Sequence, residues 1–223
     1  MINAPQTQVD DYNFVIEPED ATPKHGTTIQ AGWGAAQELL KPKKVSSKYA
    51  TDFRVSETRQ LVRFLEDAPI GSYQQHWLTG KTEGKRSYVC LGSDCPLCTI
   101  AGDKPRVRVM FNVLVLTDEE PNVQVLHATQ TLAKLIEEQH LDPVRGPLTK
   151  YYWSISRQGT GTTTQYQLER VKATDLADDW KLDVADVEAA ISQAVSYDST
   201  VVYISPRDEL LTIARALVNS PVA

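Results

Sequence analysis

The stretch RVRVMFNVLVLT, residues 106–117, is the strongest strand signal in the sequence, and the fold prediction starts from it. It is rich in Val and Leu, and basic and apolar residues alternate at its start, which is typical of a β-strand. The residues DEEPN that follow have the composition of a turn, and they lead into VQVLHA at residues 123–128. The two stretches together predict an antiparallel hairpin.

Further strands are predicted on both sides of this hairpin. Before it, TDFRVS, QLVRFLE and SYQQHWL have extended patterns between residues 51 and 78. After it, TQTLAKLIEEQH has apolar residues at helical spacing, with Thr129 or Thr131 as its N-cap. KYYWSISR and TTTQYQLERVK are then two more strands, joined by the Gly-rich bend QGTG.

This order of elements predicts the fold class. A helix between the third and fourth main strands of a small barrel is the layout of an OB-fold, whose open face commonly binds oligonucleotides. We therefore predict a mainly β protein with helices (α+β), with an OB-fold-like five-stranded barrel; an α+β sandwich fits the strand count nearly as well. The predicted parts are a loose arm at 1–45, the barrel at 46–175 with an insertion at 76–104, and a helical extension at 176–223.

The predicted extension contains two helical stretches, VADVEAAISQAV and SPRDELLTIARALV. In the second of them, Ser205 suits the N-cap position and Pro206 the first helical position.

Composition indicates an ordinary globular protein with an uneven distribution of charge. Hydrophobic residues make up 41% and charged residues 23% of the 223 residues, without the run of about 18 apolar residues that a membrane span needs. The formal net charge is −6, but residues 41–108 hold 13 Lys/Arg and 7 Asp/Glu (+6), whereas the remainder holds 10 and 22 (−12). This asymmetry indicates a polyanion as the partner of the basic region. Since the N-terminus lacks the pattern of a signal peptide, we expect a reducing cytoplasm.

All three cysteines lie within nine positions inside the basic region, in VCLGSDCPLC. Cys95 and Cys98 have the spacing of a tight turn that supplies two ligands to a metal ion, and four residues separate Cys90 from Cys95. With one histidine, three thiolates complete a tetrahedral Cys3His set, which is the pattern of a structural zinc site. A redox-active Cys-Pro-x-Cys turn fits less well, because the following TIAGDKPR does not favour a helix. A deaminase-type zinc site also fits less well, because it needs a His-x-Glu pattern.

Spacing alone leaves more than one histidine as a candidate for the fourth ligand. His76 is favoured, because the intervening TGKTEGKRS has the composition of a hairpin tip that returns the chain to Cys90. His127 and His140 are the alternatives, and each lies in or beside a regular element.

Basic and aromatic residues surround the cysteines and recur on the predicted strands. Arg106 and Arg108 stand two apart at the start of the long strand, so they share one face. A cationic groove with aromatic rings is how single-strand binders work, since stacking of a base on a ring is worth about 1–3 kcal/mol. The predicted nucleic-acid contacts are Arg63, Lys81, Lys85, Arg86, Tyr88, Arg106, Arg108, Phe111, Tyr151, Trp153, Arg157 and Tyr166.

The strand aromatics have an alternative role in the core. One face of each strand must be internal, so about half of these rings are expected to be buried, and the sequence does not assign which half.

Four stretches carry a resemblance to a known family: LVRFLEDAPIGSYQQHW, VCLGSDCPLC, RVRVMFNVLVL and ISRQGTGTTTQYQL. Together they resemble the zinc-containing, helix-destabilising single-stranded-DNA-binding proteins of tailed bacteriophages, over roughly residues 53–171. The resemblance implies that His76, Cys90, Cys95 and Cys98 bind zinc. It also implies that basic and aromatic side chains of the barrel and the zinc hairpin line a groove for one DNA strand.

The leading functional prediction is a non-enzymatic single-stranded-DNA-binding protein of replication, recombination and repair, with structural Zn2+ and without a membrane partner. Its helical extension is predicted to contact proteins of the replication or recombination machinery. The alternative is a zinc-stabilised adaptor that binds protein within a replication or transcription assembly. A zinc hydrolase is poorly supported, because neither a carboxylate nor a second histidine stands at catalytic spacing to the ligands.

Overall fold

A computed structural model describes residues 50–219, except residues 82 and 119. The predicted arm at residues 1–45 lies outside the described residues. The described part confirms the α+β class: eight strands form one mostly antiparallel sheet, accompanied by five α-helices. The strands are β1 (Asp52–Phe53), β2 (Gln60–Phe64), β3 (Gly71–Trp77), β4 (Ser87–Val89), β5 (Arg106–Val115), β6 (Asn122–Thr129), β7 (Tyr152–Gln158) and β8 (Gln165–Val171). The helices are α1 (Pro96–Thr99), α2 (Gln130–Leu141), α3 (Ala173–Trp180), α4 (Val184–Gln193) and α5 (Arg207–Asn219).

Strand β5 organises the sheet. On one side it pairs antiparallel with β6 over eight residues, which confirms the hairpin predicted from the sequence. On its other side the first half of β5 pairs with β3 and the second half with β2. Strand β2 continues the sheet through β7 to β8. A long Val- and Leu-rich strand is suited to this central position, because both of its edges are paired and most of its side chains are buried.

The predicted barrel does not close. The strand order is β1-β6-β5-β2-β7-β8, with β3 and β4 off this path, and no ladder joins β6 to β8 in residues 50–219. Helix α2 contacts β5, β6 and β8 instead and buries Leu132 and Ile136 in the core. Thr129 caps this helix, since its hydroxyl oxygen accepts the Leu132 N–H at 3.4 Å. The sheet is therefore open, and a helix contacts both of the strands between which a ladder is missing.

Three apolar clusters hold the described part together. The main core lies between the inner face of the sheet and α2, and includes Phe64, Phe111 and Trp153. The second cluster covers the opposite face of β2, β5 and β7 with α3 and α4, and includes Leu61, Leu114, Tyr152, Leu176 and Val187. The third cluster joins residues 90–98, which we call the cysteine stretch, to α5. It consists of Leu78, Tyr88, Cys95, Leu97, Leu210 and Ala214. Strand β7 is consequently buried on both faces.

The C-terminal elements differ in detail from the prediction. Helix α3 begins at Ala173, three residues before the predicted start of the extension. Helix α5 begins at Arg207, and the Pro206 carbonyl accepts the Leu210 N–H at 3.2 Å. The predicted Ser205 cap is therefore wrong, since the Ser205 hydroxyl is buried without a hydrogen-bond partner in the described part of the chain. No helix in the described residues is long and apolar enough to span a bilayer.

Candidate metal centre and nucleic-acid interface

Two strands and a tight turn bring the predicted metal ligands together. His76 lies on β3, and β4 pairs with β3 so that Tyr88 stands opposite His76. This pairing brings Cys90 back beside the strand, where the Cys90 N–H donates to the Gln74 carbonyl at 2.8 Å. Gly92 then adopts a φ of +81°, a left-handed conformation that favours glycine, and the chain turns toward Cys95.

The ligand atoms are spaced as a metal site requires. His76 Nε2 lies 3.4 Å from Cys95 Sγ and 3.5 Å from Cys98 Sγ, and Cys90 Sγ lies 3.6 Å from Cys98 Sγ. All four ligand atoms fall within 4.8 Å of one another. In a tetrahedral zinc site, bonds of about 2.0–2.3 Å separate neighbouring ligand atoms by about 3.5–3.8 Å. The four residues therefore lie close enough to bind a metal ion, and the set is compatible with zinc.

The two alternative histidines lie elsewhere. His127 bonds to Tyr73 and Asp52, and His140 lies near the end of α2. The structure thus favours His76 as the fourth ligand.

Asp103 contacts His76 on the side of the imidazole ring that faces away from the thiols, and the sequence did not predict this contact. His76 is fully buried, and its Nδ1 lies 2.7 Å from the Asp103 Oδ2. Because an ionised carboxylate only accepts, Nδ1 carries the proton and the Nε2 lone pair faces the thiols. Carboxylate–histidine pairs of this kind orient metal ligands in many zinc sites. Asp103 stands 27 residues from His76, so no local spacing could have paired them.

The electrostatics of the thiols favour a bound cation. Burial raises the pKa of Cys98, and the neighbouring Cys90 and Cys95 raise it further. Burial also acts to raise the pKa of Cys95, but backbone N–H groups of Leu91, Cys98 and Leu97 outweigh it and lower that pKa. Three adjacent thiolates repel one another unless a positive ion lies between them. A divalent metal supplies that charge and deprotonates its thiol ligands.

Three of the aromatic residues predicted to contact nucleic acid are buried. Trp153 is fully buried, and its Nε1–H donates to the Leu148 carbonyl at 2.8 Å. Phe111 lies in the main core with its ring at 5.7 Å from the ring of Phe64. Tyr88 packs in the third cluster. A ring without accessible surface offers no face to a base, because the core already covers it.

Several predicted cations are bonded within the protein. Lys81 Nζ donates to the Lys85 carbonyl and to the Tyr88 hydroxyl, at 2.8 and 2.7 Å. Arg63 donates to the Tyr151 carbonyl at 2.8 Å, and Arg157 donates to the Val55 and Gly159 carbonyls. These bonds fix the chain locally, and they give Lys81, Arg63 and Arg157 a structural role whatever else they contact.

The other predicted contacts retain accessible surface. Lys85, Arg86 and Arg106 are exposed, and Arg108 is half-buried with its Nε donating to Gln75 Oε1 at 2.7 Å. The half-buried rings of Tyr151 and Tyr166 pack at the margin of the main core. The Arg170 guanidinium lies 4.6 Å from the Tyr151 ring centroid.

Arg106 and Arg108 lie on one side of the sheet, which we call the outer face, whereas Tyr151 and Tyr166 pack against the main core on the other side. Tyr73 stands opposite Arg108 and Gln75 opposite Arg106, so these side chains share that face. Trp77 lies two residues after Gln75 on β3, so its side chain points to the same face, and it is 48% exposed. Sequence reasoning missed Tyr73, Gln75 and Trp77, although their period-two spacing in SYQQHWL was visible.

A cleft of about 210 Å3 lies on the outer face. The sheet contributes Tyr73, Gln75 and His127, and the hairpin before Cys90 contributes Lys85. Residues 194–206, which we call the strap, connect α4 to α5 and contribute Val201, Val202 and Tyr203. The C-terminal extension therefore adjoins the outer face.

No family model, curated protein or solved structure matches the chain. The resemblance to bacteriophage single-stranded-DNA-binding proteins therefore stays a prediction.

Proposed function

We propose that this protein binds single-stranded DNA on the outer face of its sheet, beside a structural zinc ion, and protects strands exposed during replication, recombination and repair. The role is one of binding and does not include catalysis. The observation that carries the proposal is the cleft on the outer face. Lys85, from the loop between β3 and β4, lines this cleft together with Tyr73 and Gln75 of the sheet.

The donor set supports a structural rather than a catalytic zinc ion. Three sulfur atoms and one imidazole nitrogen fill a tetrahedral shell, so no position remains for water or substrate. The ion would hold the hairpin against β3. Lys85 and Arg86 would then be kept beside the sheet rather than on a free loop.

The outer face offers both components of single-strand recognition. Arg106 and Lys85 are exposed cations that suit phosphates, and binding through them falls steeply with salt. Trp77 presents an exposed ring for stacking, which favours single strands because a duplex hides the faces of its bases.

Strand connectivity supports an open OB-like arrangement. Counting β2 and β3 as one bent first strand, β5 and β6 are the second and third strands, α2 follows, and β7 and β8 complete five. OB-folds bind oligonucleotides on the face of the second and third strands and with the loops after the first and fourth. In this count the loop after the first strand is the metal-binding insertion, and Arg106 and Arg108 lie on the face of the second.

Fluorescence anisotropy of a labelled oligo-dT, titrated over a range of salt concentrations, tests the proposal. We expect the affinity to fall as the salt concentration rises. In Arg106→Ala, the slope of the logarithm of the binding constant against the logarithm of salt concentration should be smaller in magnitude by about 0.7. Trp77→Ala should bind more weakly, because it removes a ring on which a base can stack. Arg145→Ala is the matched control, since Arg145 is an exposed arginine paired with Asp142 after α2. Equal competition by duplex and single strand would refute the proposal.

A groove between β5 and α2 favours a second candidate, the protein-binding adaptor. It measures about 390 Å3 and has an apolar lining that includes Val107, Val109 and Leu141. Val107 is 41% exposed and Leu141 is 69% exposed. An exposed apolar patch of this kind marks protein-binding surfaces. This candidate predicts that Val107→Asp leaves oligo-dT affinity unchanged and abolishes co-purification of a protein partner.

A further inference from the structure

The strap is fixed in place at both ends. Near its start, the buried Asn112 of β5 donates to the Tyr197 carbonyl at 2.9 Å and accepts the Tyr197 N–H at 3.3 Å. After its end, Arg207 makes two hydrogen bonds to the carboxylate of Asp94, at 2.7 and 3.1 Å. Asp94 belongs to the turn that precedes Cys95, so the strap is tied to the sheet at one end and to the metal-binding turn at the other.

Between these anchors the strap presents an aromatic ring to the cleft. Tyr203 is 45% exposed, and the Lys85 ammonium lies 4.9 Å from its ring centroid. A ring beside an ammonium group suits one nucleotide, because the base can stack on the ring while the phosphate meets the charge.

The floor of the cleft is a continuous chain of hydrogen bonds. Asp52 Oδ1 lies 3.2 Å from His127 Nε2, and His127 Nδ1 lies 3.1 Å from the Tyr73 hydroxyl. Gln75 Nε2 donates to the same hydroxyl at 3.4 Å, and its Oε1 accepts from Arg108. With His127 as a neutral imidazole, every bond is satisfied when Nε2 donates to Asp52 and Nδ1 accepts from the Tyr73 hydroxyl.

This assignment leaves an acceptor facing the cleft. The side chain of Asp52 is 60% exposed, and His127 uses only one of its two oxygens. The hydrogen bond from His127 lowers the pKa of Asp52, so the carboxylate is ionised at neutral pH and only accepts. Burial raises the pKa of Tyr73 to about 12, so its hydroxyl keeps its proton and the chain keeps its direction.

We propose that this cleft is a subsite for one unpaired nucleobase that carries an exocyclic amino group. The base stacks on Tyr203 and donates its amino hydrogen to Asp52. Cytosine, adenine and guanine carry such a group and thymine does not, and a carboxylate is the acceptor that reads the N4 amino group of cytosine. The volume of about 210 Å3 lies below the 300–1,000 Å3 range of drug-sized pockets, so it suits a single base.

The subsite rests on the proposed single-strand binding and refines it. The other contacts to the bound DNA do not depend on its sequence. Only the nucleotide in the cleft is preferred to carry a base with an exocyclic amino group.

Anisotropy titrations with oligo-dC and oligo-dT of equal length, at one salt concentration, test the subsite. We expect oligo-dC to bind about fivefold or more tightly, and Asp52→Asn to abolish this ratio. Asp186→Asn is the matched control, because it removes one exposed negative charge on α4 and should leave the ratio unchanged. The ratio is the readout, since loss of any carboxylate can strengthen DNA binding generally.

Substitution of Tyr203 tests the stacking ring separately. Tyr203→Ala should weaken oligo-dC binding about 5- to 150-fold, whereas Tyr203→Phe, which keeps the ring, should bind as the wild type does. Thermal melts verify that the variants fold. Equal affinity for the two oligonucleotides, with Tyr203→Ala neutral, would overturn the subsite and leave single-strand binding intact. Failure of the wild type to bind either oligonucleotide would instead overturn the proposed function.

Discussion

Replacing Leu210 with alanine tests whether the metal centre and the C-terminal helix form one cooperative unit. Leu210 is fully buried on α5, and it packs in the third cluster with Leu97 and Cys95 of the cysteine stretch. Truncating a buried leucine to alanine costs about 2–5 kcal/mol. If the docking of α5 and metal binding are coupled, this loss appears in the affinity for zinc. Since 1.4 kcal/mol corresponds to a factor of ten, we expect zinc to bind about 30- to 4,000-fold more weakly.

Competition with a chromophoric chelator measures the zinc affinity, and circular dichroism measures the melting temperature. Leu176→Ala is the matched control, because Leu176 is equally buried but packs in the second cluster, away from the cysteines. The control should lose stability without losing zinc affinity. If Leu210→Ala behaves in the same way as the control, α5 and the metal centre are independent and the reasoning is wrong.

Three further predictions concern single residues. Cys95→Ser should lower zinc content and melting temperature together, and unchanged metal stoichiometry by elemental analysis would remove Cys95 from the site. Asp103→Asn should weaken zinc binding about 10- to 100-fold in the chelator assay, because His76 loses the carboxylate that orients it; unaltered affinity would deny Asp103 that role. Trp153→Ala should reduce the free energy of unfolding by about 3–5 kcal/mol in urea titrations at normal zinc content, and a smaller loss would mean that the ring is not core.

The metal centre was readable from the sequence because most of it is local. Cys90, Cys95 and Cys98 lie within nine residues, and tetrahedral coordination restricts which spacings can close. The histidine required a hairpin, and the composition of the intervening residues predicted that hairpin. Asp103 was not readable, because a hydrogen bond to the far side of an imidazole leaves no fixed spacing along the chain.

The roles of the strand aromatics were not readable for a different reason. Alternation shows which residues share a face, but it does not show what covers that face. Tyr152 and Trp153 point to opposite sides of β7, and both are buried because α3 and α4 cover one side and the main core covers the other. On β3 the same alternation leaves Trp77 exposed, because none of the three apolar clusters includes it.

The predicted barrel is open because one pair of strands within residues 50–219 is not hydrogen-bonded. The strands and the helix were expected in the observed order, and the ladder that is missing from the described residues is the one between β6 and β8. Strand β1 pairs with the outer edge of β6 instead, and α2 contacts both β6 and β8. Whether two strands pair across such a distance in sequence depends on curvature accumulated over the whole sheet, which local propensity does not encode.

The anchored strap changes how deletion experiments on this protein should be interpreted. A shortened chain that ends at Gln193 would lose Tyr203 from the cleft and would also uncover Leu78 and Leu97, which α5 shields. Poor recovery or weak activity of such a fragment would reflect exposed apolar surface as much as any missing contact. Point substitutions at solvent-facing positions of the strap are therefore the sounder way to assign its role.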